Sequence, residues 1–234
     1  MNVFSTLKSS FSLPIKALRA AFTLLLFLCF SAFFVSCKKE IRYFDYVSEL
    51  RNNVLLASDE NFSLRVYSVV KESPYSADGV PRETNTRTEI WLVAPSGDQE
   101  CTLSFEIDGV AQGGEMSYDT VKAEYYLSCN LDSSTLSTLS CSITYGETTQ
   151  QLTAKSVLSK DTLAPETALK NLVDSEQELF TSMTDKYGFA GEIYLRLIYE
   201  DSPYYYVGVI DRNGKTNAFL INGTSGKILA KRQS

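Results

Sequence analysis

The chain has 234 residues, 44% apolar and 21% charged, which fits one or two folded domains with a real hydrophobic core. Lys8, Lys16 and Arg19 are the only charges before residue 37, which leaves 19 of the 22 basic residues against all 28 acidic ones. Such an acidic remainder argues against nucleic acid or an anionic headgroup as the main partner. There is no histidine, so the commonest general base and metal ligand are both missing.

At the amino end, Lys8, Lys16 and Arg19 precede a largely apolar run from Ala20 to Ser36, followed by Cys37-Lys38-Lys39-Glu40. A positive stretch, an apolar stretch and a small-residue ending form the layout of a secretory signal peptide. The run of 17 residues sits at the short edge of what crosses a bilayer, where roughly 20 are needed. Phe34-Val35-Ser36-Cys37 resembles the lipobox of bacterial lipoproteins, with Phe34 where leucine is usual. The resemblance implies cleavage after Ser36, a diacylglyceryl thioether on Cys37 and acylation of the new amino terminus by a chain such as palmitate. Two or three acyl chains anchor stably, at roughly 0.8 kcal/mol per buried methylene. The expectation is therefore a signal peptide over 1–36, lipidation at Cys37 and a place in the cell envelope, on the extracytoplasmic side of the cell membrane or the outer membrane. The alternative is an uncleaved anchor with Cys37 uninvolved. The short run and the Ser-Cys ending favour cleavage.

Residues 37–60 are polar and mixed, with Tyr43, Phe44 and Tyr46 early on. They read as the lipidated terminus and a tether, with Ser48–Leu56 a short helix in the alternative. From residue 61 the period becomes two. Ser63–Val70 alternates as a half-buried strand should. Residues 71–86 hold Ser73-Pro74, Asp78-Gly79 and Pro81 and read as a long loop. Thr88–Val93 resumes a strand. Cys101, Leu103, Phe105 and Ile107 then share one face, as do Val121, Ala123, Tyr125, Leu127 and Cys129, and Leu139, Cys141, Ile143 and Tyr145. Gly146 turns, and Gln150–Ser156 closes the set. Short antiparallel strands at this spacing predict an immunoglobulin-like β-sandwich over 61–157.

A third region, 161–234, opens with Pro165 and Glu166 at a helix start and Thr162 as a candidate cap. Leu169, Leu172, Val173, Leu179, Phe180, Met183 and Tyr187 fall on one helical stripe, ended by Gly188. Strands follow at Glu192–Tyr199, Tyr204–Ile210, Asn217–Ile221 and Lys227–Ala230, joined by turns that include Asn213-Gly214 and Asn222-Gly223. One helix on a four-stranded antiparallel meander is an α+β module. Tyr206-Val207-Gly208-Val209-Ile210-Asp211, Asn213-Gly214-Lys215 and Ile221–Leu229 resemble the PepSY family of secreted bacterial modules. Ser225-Gly226-Lys227-Ile228 matches the core of that family's closing turn, and Asn222 replaces its usual acidic residue. The resemblance covers about 65 residues and implies a protein or peptide partner, since some members are thought to hold peptidases in check.

Catalytic constellations are poor. Cys101, Cys129 and Cys141 lie on predicted apolar faces without CxxC spacing, so they read as core residues. Export would allow one disulfide, and both Cys129–Cys141 and Cys101–Cys141 remain open. Asp98, Glu100, Asp108 and Glu115 flank turns, where Asp is normally turn chemistry. No calcium loop, nucleophile elbow or phosphate loop occurs. Alternation puts Tyr204 and Tyr206 on one face and Tyr205 on the other, an aromatic row that suits either partner binding at Tyr204 and Tyr206 or plain sheet packing. The expectation is a non-catalytic, membrane-anchored lipoprotein without cofactor or metal that binds a protein or peptide. The rivals are a carbohydrate-active or peptidase-type enzyme using carboxylates on the sandwich loops, and a structural surface protein.

Overall fold

Strict alternation on Cys101–Ile107, where every odd residue is buried and every even one exposed, sets the pattern for a mostly β fold. The computed structural model describes residues 41–107 and 109–233. The expected signal peptide over 1–36, the expected lipidation site Cys37, and Asp108 lie outside the described residues. The first nine strands are β1 (Val47–Ser58), β2 (Ser63–Glu72), β3 (Thr84–Val93), β4 (Cys101–Ile107), β5 (Val110–Glu115), β6 (Ser117–Asp119), β7 (Glu124–Cys129), β8 (Thr138–Tyr145) and β9 (Thr148–Ser156). Helices α1 (Pro165–Ser175) and α2 (Gln177–Ser182) follow. A two-residue hairpin, β10 (Thr184–Asp185) and β11 (Gly188–Phe189), leads to the meander β12 (Gly191–Tyr199), β13 (Pro203–Asp211), β14 (Thr216–Asn222) and β15 (Ile228–Gln233).

The sandwich pairs two antiparallel layers, β6-β7-β3-β2-β1 and β5-β4-β8-β9. Between them lie Leu55, Leu64, Val66, Ile90, Leu92, Leu103, Phe105, Cys141 and Ile143. A second core gathers Leu169, Leu172 and Phe180 of the helices against Ile193, Leu195, Leu197, Tyr205, Val207 and Phe219 of the meander. Pro165 occupies the first turn of α1, where its missing N–H costs nothing.

The largest departure from expectation is at 47–58. Neither tether nor helix, this stretch is the strand that joins everything. It pairs antiparallel with β2 along its length, parallel with β12 over Val47–Arg51, and with β9 at Leu55 and Leu56. Leu55 faces the sandwich core and its neighbour Val54 the second core. Such a strand is buried on both faces and loses the period-two signature. A register shift between Arg51 and Asn53 marks a bulge. There Asn53 donates to the carbonyls of Ser133, Ser134 and Leu136 and accepts from the Ser156 hydroxyl.

Smaller corrections have local causes. Residues 120–123 form a turn, with Ala123 at φ 56° and Val121 93% exposed, so the expected strand begins only at Glu124. The expected single long helix breaks at Glu176 (φ −117°, ψ 38°), and Tyr187 is 83% exposed. The redirected chain seats Phe180 against Tyr43 and Phe189, with ring centroids 4.9 and 5.8 Å away. Tyr43 comes from the distant amino end, so helical periodicity could not show this contact. Thr162 does not cap α1. Ala164 takes that position, and the Thr162 hydroxyl accepts from the Ser159 N–H instead.

Candidate functional site

Directly paired residues on neighbouring strands project on the same side of a sheet. From β12 the pairing runs Arg196 to Tyr206 on β13, and Arg196 to Arg51 and Tyr194 to Glu49 on β1. From β1 it runs Glu49 to Lys71 and Arg51 to Val69 on β2, then Val69 to Arg87 and Tyr67 to Glu89 on β3. These residues share one face, on the side of the sheet away from the leucines Leu50 and Leu195, which are likewise paired. The face bridges the two halves of the fold and is built from charge and aromatic rings.

Its centre is a forked ion pair. Arg196 Nε and Nη2 each donate to one oxygen of Glu49, both at 2.7 Å. Burial works against the Arg196 charge, but the hydrogen bonds and charge of Glu49 outweigh it and raise its pKa. Tyr194 and Tyr206 stack, with centroids 5.8 Å apart and planes 25° from parallel, and the Arg196 guanidinium lies 4.6 Å from the Tyr194 centroid. Burial, reinforced by Tyr206, pushes the Tyr194 hydroxyl up to about 12. The ring can lie flat because Gly208 is beneath it: a Cβ there would meet Tyr194 Cζ at 1.9 Å. Next to the fork, the Arg51 guanidinium sits 3.8 Å from the Tyr67 ring centroid, and Lys71 pairs with Glu89 at 2.7 Å.

A group of buried carboxylates closes one end. Glu192 is 0% and Glu72 1% exposed. Neither oxygen of Glu192 has a hydrogen-bond partner. Burial, then the charges of Glu72 and Asp78, raise its pKa to about 7. Residues 73–83 fold over this end. Gly79, at φ 76°, comes so close to β13 that a Cβ would stand 2.5 Å from the Asp211 carbonyl oxygen. Arg82 holds the loop, its N–H donating to Glu72 at 2.5 Å and its guanidinium reaching Asp78 at 2.5 Å. Glu192 is sealed from solvent.

The residues singled out from the sequence fall differently. Tyr204 and Tyr206 lie on the outer side, half-buried, and Tyr205 is enclosed in the second core with its hydroxyl donating to the Leu163 carbonyl at 2.6 Å. Tyr206 belongs to the stacked pair, whereas Tyr204 turns to Asp201 at the hairpin end, 2.8 Å away. Cys101, Cys129 and Cys141 are all free thiols. Cys101 pairs across the ladder with Tyr145 and Cys141 with Phe105, an offset of four residues or about 13 Å along the strands. Burial pushes Cys101 up to about 11 and Cys141 up to about 12. Asp98 accepts from the Ser96 hydroxyl, and Glu115 is exposed on β5. Among the described residues, no group of three or more Cys, Asp or Glu could hold a metal ion, and no helix is long and apolar enough to cross a membrane.

Tyr194, Arg196, Glu49, Arg51 and Glu192 were not legible as a site. Glu192, Tyr194 and Arg196 do alternate with Ile193, Leu195 and Leu197, which signals one polar face. Their partners sit on β1, which the sequence conceals. Comparison with family profiles, characterised proteins and solved structures finds no match to this chain.

Proposed function

We propose that the protein is a lipid-anchored, extracytoplasmic binding protein that engages a protein or peptide partner and carries out no chemistry of its own. The observation behind this reading is the outer face around Tyr194, Arg196 and Tyr206. It combines pre-ordered aromatic rings with forked guanidinium chemistry, the residue types that dominate binding hot spots. Its carboxylates are neutralised by neighbours or sealed from solvent, a poor arrangement for acid–base catalysis. The lipobox-like Phe34-Val35-Ser36-Cys37 supports the anchor, and the PepSY-like turn sequences support a protein partner.

Two measurements test it. A photo-crosslinking residue at Tyr206 is expected to give a discrete adduct in intact cells, and one at exposed Thr149 on β9 none. Equal yields at both positions would sink the binding face. Cys37→Ala is expected to release the protein from membranes and to abolish its labelling by a fatty-acid probe. Unchanged retention and labelling would remove the lipid anchor.

A further inference from the structure

On the same face, two arginines are left without carboxylates. Glu49 is committed to Arg196 and Glu89 to Lys71. Arg51 feels both acids at a distance but forms no ion pair among the described residues, and neither does Arg87. Both are half-buried, and the Nε atom of each is buried with no hydrogen-bond partner. Of the cations Arg51, Arg87, Arg196 and Lys71 on this face, only Arg196 and Lys71 thus have a carboxylate partner, in a chain of net charge −6. Retaining unpaired, partly desolvated guanidiniums is costly unless something supplies the missing acceptors.

We propose that Arg51 and Arg87 form the recognition site for an acidic, extended peptide segment of a partner protein. This rests on the binding role proposed above and names the chemistry of its partner. Register supplies the first argument. Arg51 and Arg87 flank Val69 on adjacent strands, so their Cα atoms stand about 10 Å apart. Acidic side chains two residues apart on an extended peptide project on one side at about 7 Å, a gap that two flexible arginine stems close. Each guanidinium can then take a carboxylate through two parallel N–H bonds. The second argument separates a peptide from an acidic sugar chain. Sugars dock on open ring faces, and here the rings are already occupied. Tyr67 is covered by Arg51, Tyr194 by Tyr206 and Arg196, and Trp91 by the Lys122 ammonium 3.5 Å from its centroid. The free valence of this face is guanidinium N–H, which suits the recognition of acidic motifs by arginine clusters.

The test uses the full-length protein in detergent micelles and fluorescence anisotropy of labelled octapeptides, one alternating Thr with Glu and one alternating Thr with Gln. The Glu peptide is expected to bind at least about tenfold more tightly at low salt and to weaken as salt rises. Arg51→Gln combined with Arg87→Gln is expected to abolish that preference. The double Lys variant, which keeps both charges but loses the forks, should bind at an intermediate level and guards against a folding defect. Millimolar inorganic phosphate should not displace the peptide. Equal affinity for the two peptides, an undiminished preference in the double Gln variant, or tighter binding of polygalacturonate than of the Glu peptide would each overturn the proposal. A specific adduct at Tyr206 with no preference for the Glu peptide would overturn this inference and leave the binding role standing. No adduct and no peptide binding would remove both.

Discussion

Glu192 is the residue whose surroundings carry the most consequence. In the unfolded chain its carboxyl ionises near 4.5, and in the fold it holds its proton to about 7. Between those values the folded state binds the proton that the unfolded state has released. Stability therefore falls as pH rises through the window and levels off above it. The full effect is about 3 kcal/mol. Asp78, Asp98, Asp201 and Asp211 are held below the usual carboxylate range by hydrogen bonds, so their contribution is lost only in stronger acid. Urea unfolding at pH 5 and pH 8 is expected to show the loss in the wild type and to show it much reduced in Glu192→Gln. An equal pH effect in both proteins would contradict the assignment. Gly208 allows a second test at this scale. Gly208→Ala places a methyl inside the Tyr194 ring position and should cost about 1–3 kcal/mol, with loss of the Tyr194–Tyr206 stack visible in near-ultraviolet circular dichroism.

Among the elements, β1 matters most, since adjacent residues of it are fully buried in different cores. Leu55, 0% exposed, and Val54, 2% exposed, sit side by side and serve different clusters. Leu55→Ala is expected to cost about 2–5 kcal/mol, as cavities in closed cores do. Because β1 also carries Glu49 and Arg51, the same change should weaken binding at the outer face, which a sandwich-core change at Ile143 should not. The opposite extreme is β15, an edge strand exposed at nearly every residue after Ile228. Its outer edge pairs with no strand among the described residues, so hydrogen exchange there is expected to run well ahead of exchange in β12 and β13. Equal protection would mean that something covers this edge.

For the molecule as a whole, the shared strand couples the two halves. The sheet runs β15-β14-β13-β12-β1-β2-β3-β7-β6 without interruption, and the β1–β12 pair is the single parallel pairing among the described residues. Two modules joined only by a linker would unfold independently. Here a substitution in either core, Leu92→Ala or Leu195→Ala, is expected to lower the midpoint of one common thermal transition rather than to split it in two. Calorimetry showing two separable transitions would count against the coupling.

How far the sequence could be read depended on the range of the interactions involved. Alternation and turn chemistry are local, and they delivered the mostly β class, the start of β2, the bounds of β4, the four-strand meander and the opposite facings of Tyr205 and Tyr206. The same local rules failed where burial came from elsewhere. Val47–Ser58 has no regular alternation to show, because a bulge shifts its register between Arg51 and Asn53, and the neighbours Val54 and Leu55 serve different cores. The helix break at Glu176 accompanies a contact between Phe180 and Tyr43, far apart in the chain, which helical periodicity does not encode. The binding face is the clearest case. Glu49 and Arg51 meet Tyr194 and Arg196 only through a short parallel pairing of residues 145 positions apart in the chain, and no local signal encodes that register. Sequence alone thus settled which residues alternate, turn and carry charge. Tertiary structure alone decided which charges meet, which are left unpaired and which carboxylate is sealed from water, because those depend on strands brought together across almost the entire fold.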